Sequence, residues 1–203
     1  SGEKYGVEYV LNDKVSARDV VDFGRDVVLL ATGANHRVPS DLKRADKVLS
    51  AREYVMQSEK LNGGTAVLID EDGTAATYGV ADLMAQNFTN ILLLTSRPRI
   101  AASVNHCSAI GVFRRLYGDN IQIQPAQQVI SFIDKVVTVR NPYNAIEDKI
   151  SDVDVLVYST PRISNDELVE ELDDTLVEKI GDCRSPRNLM TAIQNGHAIA
   201  DSL

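Results

Sequence analysis

Four short runs of apolar, β-branched residues restrict the fold of this 203-residue chain more than any other feature. Turn residues bound each run, and the runs are apolar on both faces rather than alternating between apolar and polar side chains. Strands of this kind are typical of the centre of a parallel sheet that helices cover on both sides. The four runs are Asp26–Ala31, Thr65–Asp70, Ile91–Thr95 and Asp154–Tyr158.

A helical pattern lies between the second and third of these runs. Apolar side chains recur at helical spacing from Thr74 to Phe88, and the strand, helix and strand together take about 30 residues, the size of a βαβ unit. The chain is therefore predicted to have an α/β, Rossmann-like three-layer fold. Further along, Gln127–Ile133 and Lys135–Arg140 suggest an antiparallel pair of strands that turns tightly at Asp134.

Two further elements are expected from shorter patterns. Val7–Leu11 resembles a strand. A helix is expected from Ser164 to about Asp173, because Ser164 and Glu167 have the spacing of a capping box.

Leu61-Asn-Gly-Gly64 is the expected domain boundary. We expect a discontinuous, incomplete outer domain of residues 1–60 and 151–203, and an inserted α/β domain of residues 61–150. Ser1-Gly2 is interpreted as a cloning remnant, and both chain ends suggest an excised fragment.

The last helix has the clearest start signal. Ser185 can cap it, Pro186 fits its first turn, and an apolar stripe continues to Leu203. It follows a strand-like stretch, Val177–Ile180, and the dipeptide Gly181-Asp182. The local architecture is therefore predicted to be strand, Gly-Asp turn and capped helix.

Composition and charge argue against several classes of function. The net charge is -8, the aromatic content is 5% and Trp is absent, which disfavours nucleic acid as a partner. No apolar run has the length of a membrane span. Cys107 and Cys183 form no C-x-x-C pair and fit a reducing, cytoplasmic setting. The three histidines are scattered, so we assign neither a catalytic residue nor a metal ligand.

Two segments are candidates for binding a nucleotide. At the end of the first run, Ala31, Thr32 and Gly33 are small enough to let a ligand approach the backbone, although an ordinary strand end would have the same composition. Near the last helix, Asp182 could accept hydrogen bonds from sugar hydroxyls, and the helix start at Ser185 could attract a phosphate. A turn residue or a helix cap is an equally good interpretation of Asp182.

Together these segments resemble a known family. A-T-G-A at 31–34, followed about 150 residues later by G-D-C-x-x-P-R and the final helix, is similar to the two later nucleotide motifs of flavoproteins with two dinucleotide-binding domains. More narrowly, the chain resembles the C-terminal region of the trimethylamine dehydrogenase and 2,4-dienoyl-CoA reductase family of NADH:flavin oxidoreductases.

The resemblance implies an FAD or ADP cleft. In it, Thr32 and Gly33 would line the nucleotide, and Gly181 and Asp182 would hold its sugar or ribityl hydroxyls. It also implies an upstream FMN barrel with a [4Fe-4S] cluster, on the same chain or on a partner subunit. For both segments to serve one cleft, Gly33 and Asp182 must lie at the same edge of a sheet.

The turn after Thr65–Asp70 departs from the dinucleotide fingerprint. Asp70 and Asp72 occupy the first two glycine positions and Ala75 the third, so carboxylates would repel a diphosphate. NAD(P) is therefore not expected to bind there. We interpret the acidic turn as a solvated cap of the following helix. Within the family, this departure resembles the amine dehydrogenases, which pass electrons to an electron-transfer flavoprotein.

Three hypotheses follow. The first is the C-terminal fragment of an amine or N-methyl-amine dehydrogenase-like flavoenzyme. The second is a non-catalytic structural or docking module that keeps the fold without a nucleotide. The third is an NAD(P)H-dependent enoyl reductase fragment, which would bind NAD(P)H at Gly73.

Overall fold

The computed structural model describes residues 2–24, 26–42, 47–118, 120–172 and 177–202. The chain divides into two compact units. Unit 1 consists of Ser1–Asn35 and Ile163–Leu203, and unit 2 is the continuous segment His36–Arg162.

Short strands outnumber helices in the described residues. In chain order the strands are β1 (Val28–Leu30), β2 (Ala34–His36), β3 (Val48–Ser50), β4 (Gly63–Asp70), β5 (Phe88–Thr95), β6 (Ile121–Pro125), β7 (Gln128–Ile133), β8 (Val136–Arg140), β9 (Glu147–Ile150), β10 (Val153–Ser159), β11 (Arg162–Ser164) and β12 (Val177–Lys179). The helices are α1 (Ala17–Asp22), α2 (Ala51–Gln57), α3 (Ala75–Asn87), α4 (His106–Leu116), α5 (Glu167–Glu170) and α6 (Leu189–Ala200). β2 and β11 form a small sheet of their own.

A five-stranded parallel sheet is the centre of unit 2. Its strand order is β3-β10-β4-β5-β6. From β4 the chain passes through α3 to β5 on one side, whereas β10 lies on the other side of β4. The order therefore reverses at β4 and β10, and their carboxyl ends define the switch point where open α/β sheets usually bind ligands.

Both faces of the central sheet are buried, as the apolar runs predict. Alternate β4 residues point to opposite sides: Ala66 and Leu68 join one core cluster, while Val67 and Ile69 join another. Residues of α2, α3 and α4 build the first cluster, and residues of the β7–β8 hairpin contribute to the second. The α/β prediction is confirmed.

The antiparallel pair is a three-stranded meander of β7, β8 and β9. Asp134 and Lys135 form the predicted tight turn, with φ angles of 49° and 64°. Phe132, Val137 and Val139 are buried against the central sheet. The third strand, β9, was not predicted, because its Glu-Asp-Lys sequence has little apolar character.

Unit 1 has a smaller sheet, in which β1 and β12 pair in parallel. The strand expected at Val7–Leu11 is wrong, because this exposed segment has no regular structure. The capping box expected at Ser164 is also wrong. Ser164 ends β11, and α5 begins only at Glu167 with Asp166 in the cap position. The expected end of this helix at Asp173 lies outside the described residues.

The compact units divide at different positions from those the sequence suggests. The sequence placed residues 36–60 and 151–162 in the outer domain, whereas they fall within unit 2. The reason is hydrogen bonding: β3 pairs with β10, and β10 pairs with β4 along most of its length. These pairings place β3 and β10 in the same sheet as β4.

Candidate functional site

The two candidate segments of unit 1 leave the same edge of one sheet. β1 and β12 run parallel with Leu30 opposite Lys179, and the Ile180 amide extends this pairing by donating to the Leu30 carbonyl at 3.0 Å. The candidate segments, residues 31–33 and 181–185, therefore both begin at the carboxyl ends of neighbouring strands. Gly33 and Asp182 thus follow strands that end at the same edge of one sheet, as a shared cleft requires.

Thr32 links the two segments directly. Its hydroxyl lies 3.3 Å from the Sγ of Cys183 and donates to the carbonyl of Asn165. Cys183 is fully buried, whereas Ala31 and Thr32 are exposed. The end of β1 therefore presents small, open residues beside a buried anchor.

Gly33 adopts a backbone conformation that suits glycine. Its φ is +76°, and its carbonyl accepts the Asn165 amide at 2.9 Å. Asn165 thus holds the A-T-G segment through both its amide and its carbonyl. This contact could not be predicted from the sequence, because the main-chain groups of Asn165 carry no sequence signal.

Gly181 begins the second segment with φ at +58°, and a side chain there would approach the Cβ of Ala192 on α6 at 3.4 Å. The Asp182 carboxylate accepts the Arg187 amide at 3.0 Å, and the Asp182 carbonyl accepts the Ser164 hydroxyl at 3.3 Å. Asp182 therefore organises the turn before α6, which is one of the interpretations that the sequence left open. The hydrogen bond from the Arg187 amide holds the Asp182 carboxylate next to the candidate cleft.

The prediction that Ser185 caps the last helix is wrong. Asn188 is the cap residue, and its side chain accepts the Thr191 amide at 2.9 Å. Ser185 instead lies in a turn, where its amide donates to the Gly181 carbonyl at 3.1 Å. The helix starts later than predicted because an Asn side chain three residues before a free amide is also a strong cap.

The acidic turn of unit 2 is only partly solvated, because Asp70 is buried while Glu71 and Asp72 are half-buried, and this corrects the sequence interpretation. Asp70 is 1% exposed and accepts the Gly73 amide at 2.7 Å and the Tyr78 hydroxyl at 2.6 Å. Burial raises the pKa of the Asp70 carboxyl, and the bonds from Tyr78 and Gly73 counteract only part of this effect. The Tyr78 hydroxyl also accepts the Ala101 amide, and burial together with Asp70 raises the pKa of Tyr78.

Side chains at this turn occupy the positions where the pyrophosphate of a dinucleotide would approach the backbone. The Glu71 carboxylate accepts the Ser96 amide at 2.9 Å and the Ser96 hydroxyl at 2.7 Å. The Arg97 guanidinium donates to the Glu71 carbonyl and lies so close to Gly73 that an added Cβ would be 2.5 Å from it. A pyrophosphate needs open space and free amides at this turn. Here the Gly73 amide and the end of β5 already have intramolecular partners.

Two of the three histidines lie close to polar groups of neighbouring residues. His36 Nδ1 lies 2.7 Å from the Thr160 carbonyl, and His197 lies 3.4 Å from Asp201 on the surface of α6. Among the described residues, no group of three or more His, Cys, Asp or Glu side chains could hold a metal ion. None of the helices described is long and apolar enough to cross a membrane.

Similar proteins were found by sequence and by structure. No protein-family model matches the chain. Cinnamate reductase from Clostridium sporogenes is 26% identical over 202 residues, which cover 98% of this chain and 30% of that enzyme. Histamine dehydrogenase from Rhizobium sp. 4-9 matches with a TM-score of 0.84 and 24% identity, over 95% of this chain and 33% of that one.

A third relative is the 6-hydroxypseudooxynicotine amine oxidase from Pseudomonas geniculata N1. It matches with a TM-score of 0.80 and 25% identity, over 93% of this chain and 30% of the oxidase. The chain thus spans about a third of the length of these enzymes. Its relatives are redox enzymes, and its fold is the Rossmann-like α/β fold of flavoprotein oxidoreductases. In particular, they confirm the resemblance to the C-terminal region of the trimethylamine dehydrogenase and 2,4-dienoyl-CoA reductase family.

Proposed function

We propose that this chain is the C-terminal nucleotide-binding part of a flavin-dependent oxidoreductase of the amine dehydrogenase type, and that unit 1 contributes part of an FAD or ADP cleft. The observation that carries this proposal is the contact between Thr32 and Cys183, at the carboxyl ends of two adjacent parallel strands. In α/β sheets this edge is the usual place for a nucleotide.

Each candidate residue has a role in the proposed cleft. Ala31, Thr32 and Gly33 would line it, and Gly181 would let the nucleotide approach the backbone. Asp182 is proposed to accept hydrogen bonds from sugar hydroxyls while it holds the turn before α6. The Ser185 hydroxyl, in the same turn, would lie on the side of the cleft that faces the phosphate. FAD in this position would supply electron transfer, whereas ADP would supply binding contacts alone.

The exposed apolar surface of unit 1 supports an upstream partner region. Leu29 on β1 is 44% exposed, and Leu189, Met190 and Ile193 on α6 are all more than 60% exposed. A two-stranded sheet with uncovered apolar side chains cannot bury a complete core. We propose that the FMN-barrel region or subunit supplies the missing strands and the phosphate loop. FMN and [4Fe-4S] are assigned to that region, and no residue of this chain is assigned to them.

An electron-transfer flavoprotein is proposed as the electron acceptor of the whole enzyme. Cytoplasmic localisation is proposed from the two unpaired cysteines.

The filled turn of unit 2 argues against the NAD(P)H-dependent reductase. Its Asp70, Glu71 and Arg97 take the positions that a dinucleotide diphosphate would need. The remaining alternative is a docking module that binds no nucleotide.

Titration of the chain with ADP, FAD and NADH by isothermal titration calorimetry separates these functions. We expect micromolar ADP binding that Asp182→Ala weakens about tenfold or more, as loss of a charged acceptor does. Asp182→Asn tests the charge while keeping an oxygen for the Arg187 amide. Asp13→Ala, at an exposed position of unit 1, is the control and should leave the affinity unchanged. Flat titrations of a folded sample would favour the docking module, and tight NADH binding would favour the reductase.

A further inference from the structure

Unit 2 contains a cavity beside the filled turn, and Glu71 and Ser96 of that turn form part of its lining. It has a volume of about 510 Å³ and lies at the carboxyl ends of the central strands, where Ile69 of β4 and Thr160 after β10 line it. This is the switch point of the sheet, the place where a ligand is expected in folds of this kind. The volume falls within the range of small-molecule sites.

Hydrogen bonds to backbone groups hold the walls of this cavity in place. On one side, the Arg37 amide donates to the Pro161 carbonyl at 3.1 Å, and the Arg37 carbonyl accepts the Thr160 hydroxyl at 2.6 Å. On the other, the Glu71 amide donates to the Ser159 carbonyl at 2.8 Å. The cavity is therefore preformed, and a ligand would not have to order these segments.

The charged side chains at the cavity differ in whether they already have hydrogen-bond partners within the chain. Both carboxylate oxygens of Glu71 accept hydrogen bonds from Ser96. The Arg37 side chain is exposed, and it makes no ion pair or hydrogen bond within the part of the chain that the structure describes. Arg37 is thus a cation available to a ligand, although Asp41 lines the same cavity.

We propose that this cavity binds a small organic carboxylate with an apolar body, and that Arg37 holds the carboxylate. Guanidinium and carboxylate groups match as planar, bidentate partners. The apolar body would lie against Val38, Ile69 and Val129. Asp41 and Glu71 disfavour phosphate esters and dinucleotides, which carry more negative charge than a single carboxylate.

Binding of 3-phenylpropionate, observed by amide NMR shifts of the chain, tests this proposal. We expect a Kd near or below about 1 mM, a range that a ligand of this size allows, with the largest shifts at Val38, Ser96 and Val129. The neutral amide of the same acid keeps the apolar body without the charge, and it should bind at least about tenfold more weakly. Inorganic phosphate should not produce these shifts.

Arg37→Gln should weaken 3-phenylpropionate binding about tenfold, because the charged donor is lost while the backbone bonds remain. Arg52→Gln, an exposed position on α2, is the matched control and should bind as the wild type does. Equal affinity for the acid and its amide in the wild type would overturn the proposal, whether or not the variants fold. So would shifts confined to other regions, or an Arg37→Gln affinity equal to that of the control.

Discussion

The Thr32 hydroxyl lies 3.3 Å from the Sγ of Cys183, although 151 positions separate the two residues in the chain. Their contact joins the ends of β1 and β12 and brings both candidate segments to one edge of unit 1. Because Cys183 is fully buried, it serves as a fixed support for the exposed Thr32. The proposed nucleotide cleft depends on this support.

Gly181 should tolerate substitution poorly. Its φ of +58° disfavours any side chain, so Gly181→Ala should lower the free energy of unfolding of unit 1 by about 1 kcal/mol. Gly196→Ala is the matched control within α6, where a Cβ meets open space, and it should stabilise the helix by about 0.5–1 kcal/mol. Hydrogen exchange at the α6 amides measures both changes, and equal effects of the two substitutions would contradict the strain at Gly181.

Asp70 should make unit 2 less stable as the pH rises. Its pKa is higher in the folded chain than the ordinary value of 3.8, because burial penalises the charged carboxylate. Its stabilising contribution is therefore complete at pH values below 3.8 and is lost as the pH rises through the folded-state pKa. Asp70→Asn removes this contribution.

Urea unfolding of the wild type and of Asp70→Asn at a series of pH values from 3 upward checks this prediction. The difference in unfolding free energy between the two proteins isolates Asp70 from the other carboxyl groups. We expect the wild type to lose stability relative to the variant as the pH increases. A difference that does not change with pH would show that Asp70 titrates alike in the folded and unfolded chains.

Arg97 should stabilise the filled turn. Its guanidinium donates to the Glu71 carbonyl, so Arg97→Ala should lower the free energy of unfolding by about 1–2 kcal/mol. Arg99→Ala, two residues along the chain at an exposed position, should change it by no more than about 0.5 kcal/mol. Urea unfolding measures both values. Equal losses would mean that the Arg97 contact contributes nothing specific.

The central architecture could be predicted because its signals are local. β4, β5 and β10 are continuous apolar runs, and such runs need a sheet covered on both faces. The tight turn at Asp134 was found in the same way. β9 was missed because its exposed, charged residues pair through main-chain bonds, which leave no apolar pattern.

The errors at the sites arise where a local signal competes with a tertiary one. Ser185-Pro186 has the features of a helix start, but Asn188 provides the cap that the chain uses. The burial of Asp70 depends on Tyr78 and on the loop that contains Ala101, and no short pattern links these residues. Asn165 contacts the A-T-G segment only through its main chain, so its identity gives no indication of the contact.

The hydroxyl of Tyr78 makes two bonds at once, since it donates to Asp70 and accepts the Ala101 amide. Asp70 and Tyr78 are therefore energetically interdependent. A glycine at position 70 would leave the buried Tyr78 hydroxyl without its acceptor, and loss of the hydroxyl would in turn leave the Asp70 carboxylate without its donor and the Ala101 amide without its acceptor. Each single substitution is costly, so this turn is difficult to convert into one that accepts a dinucleotide.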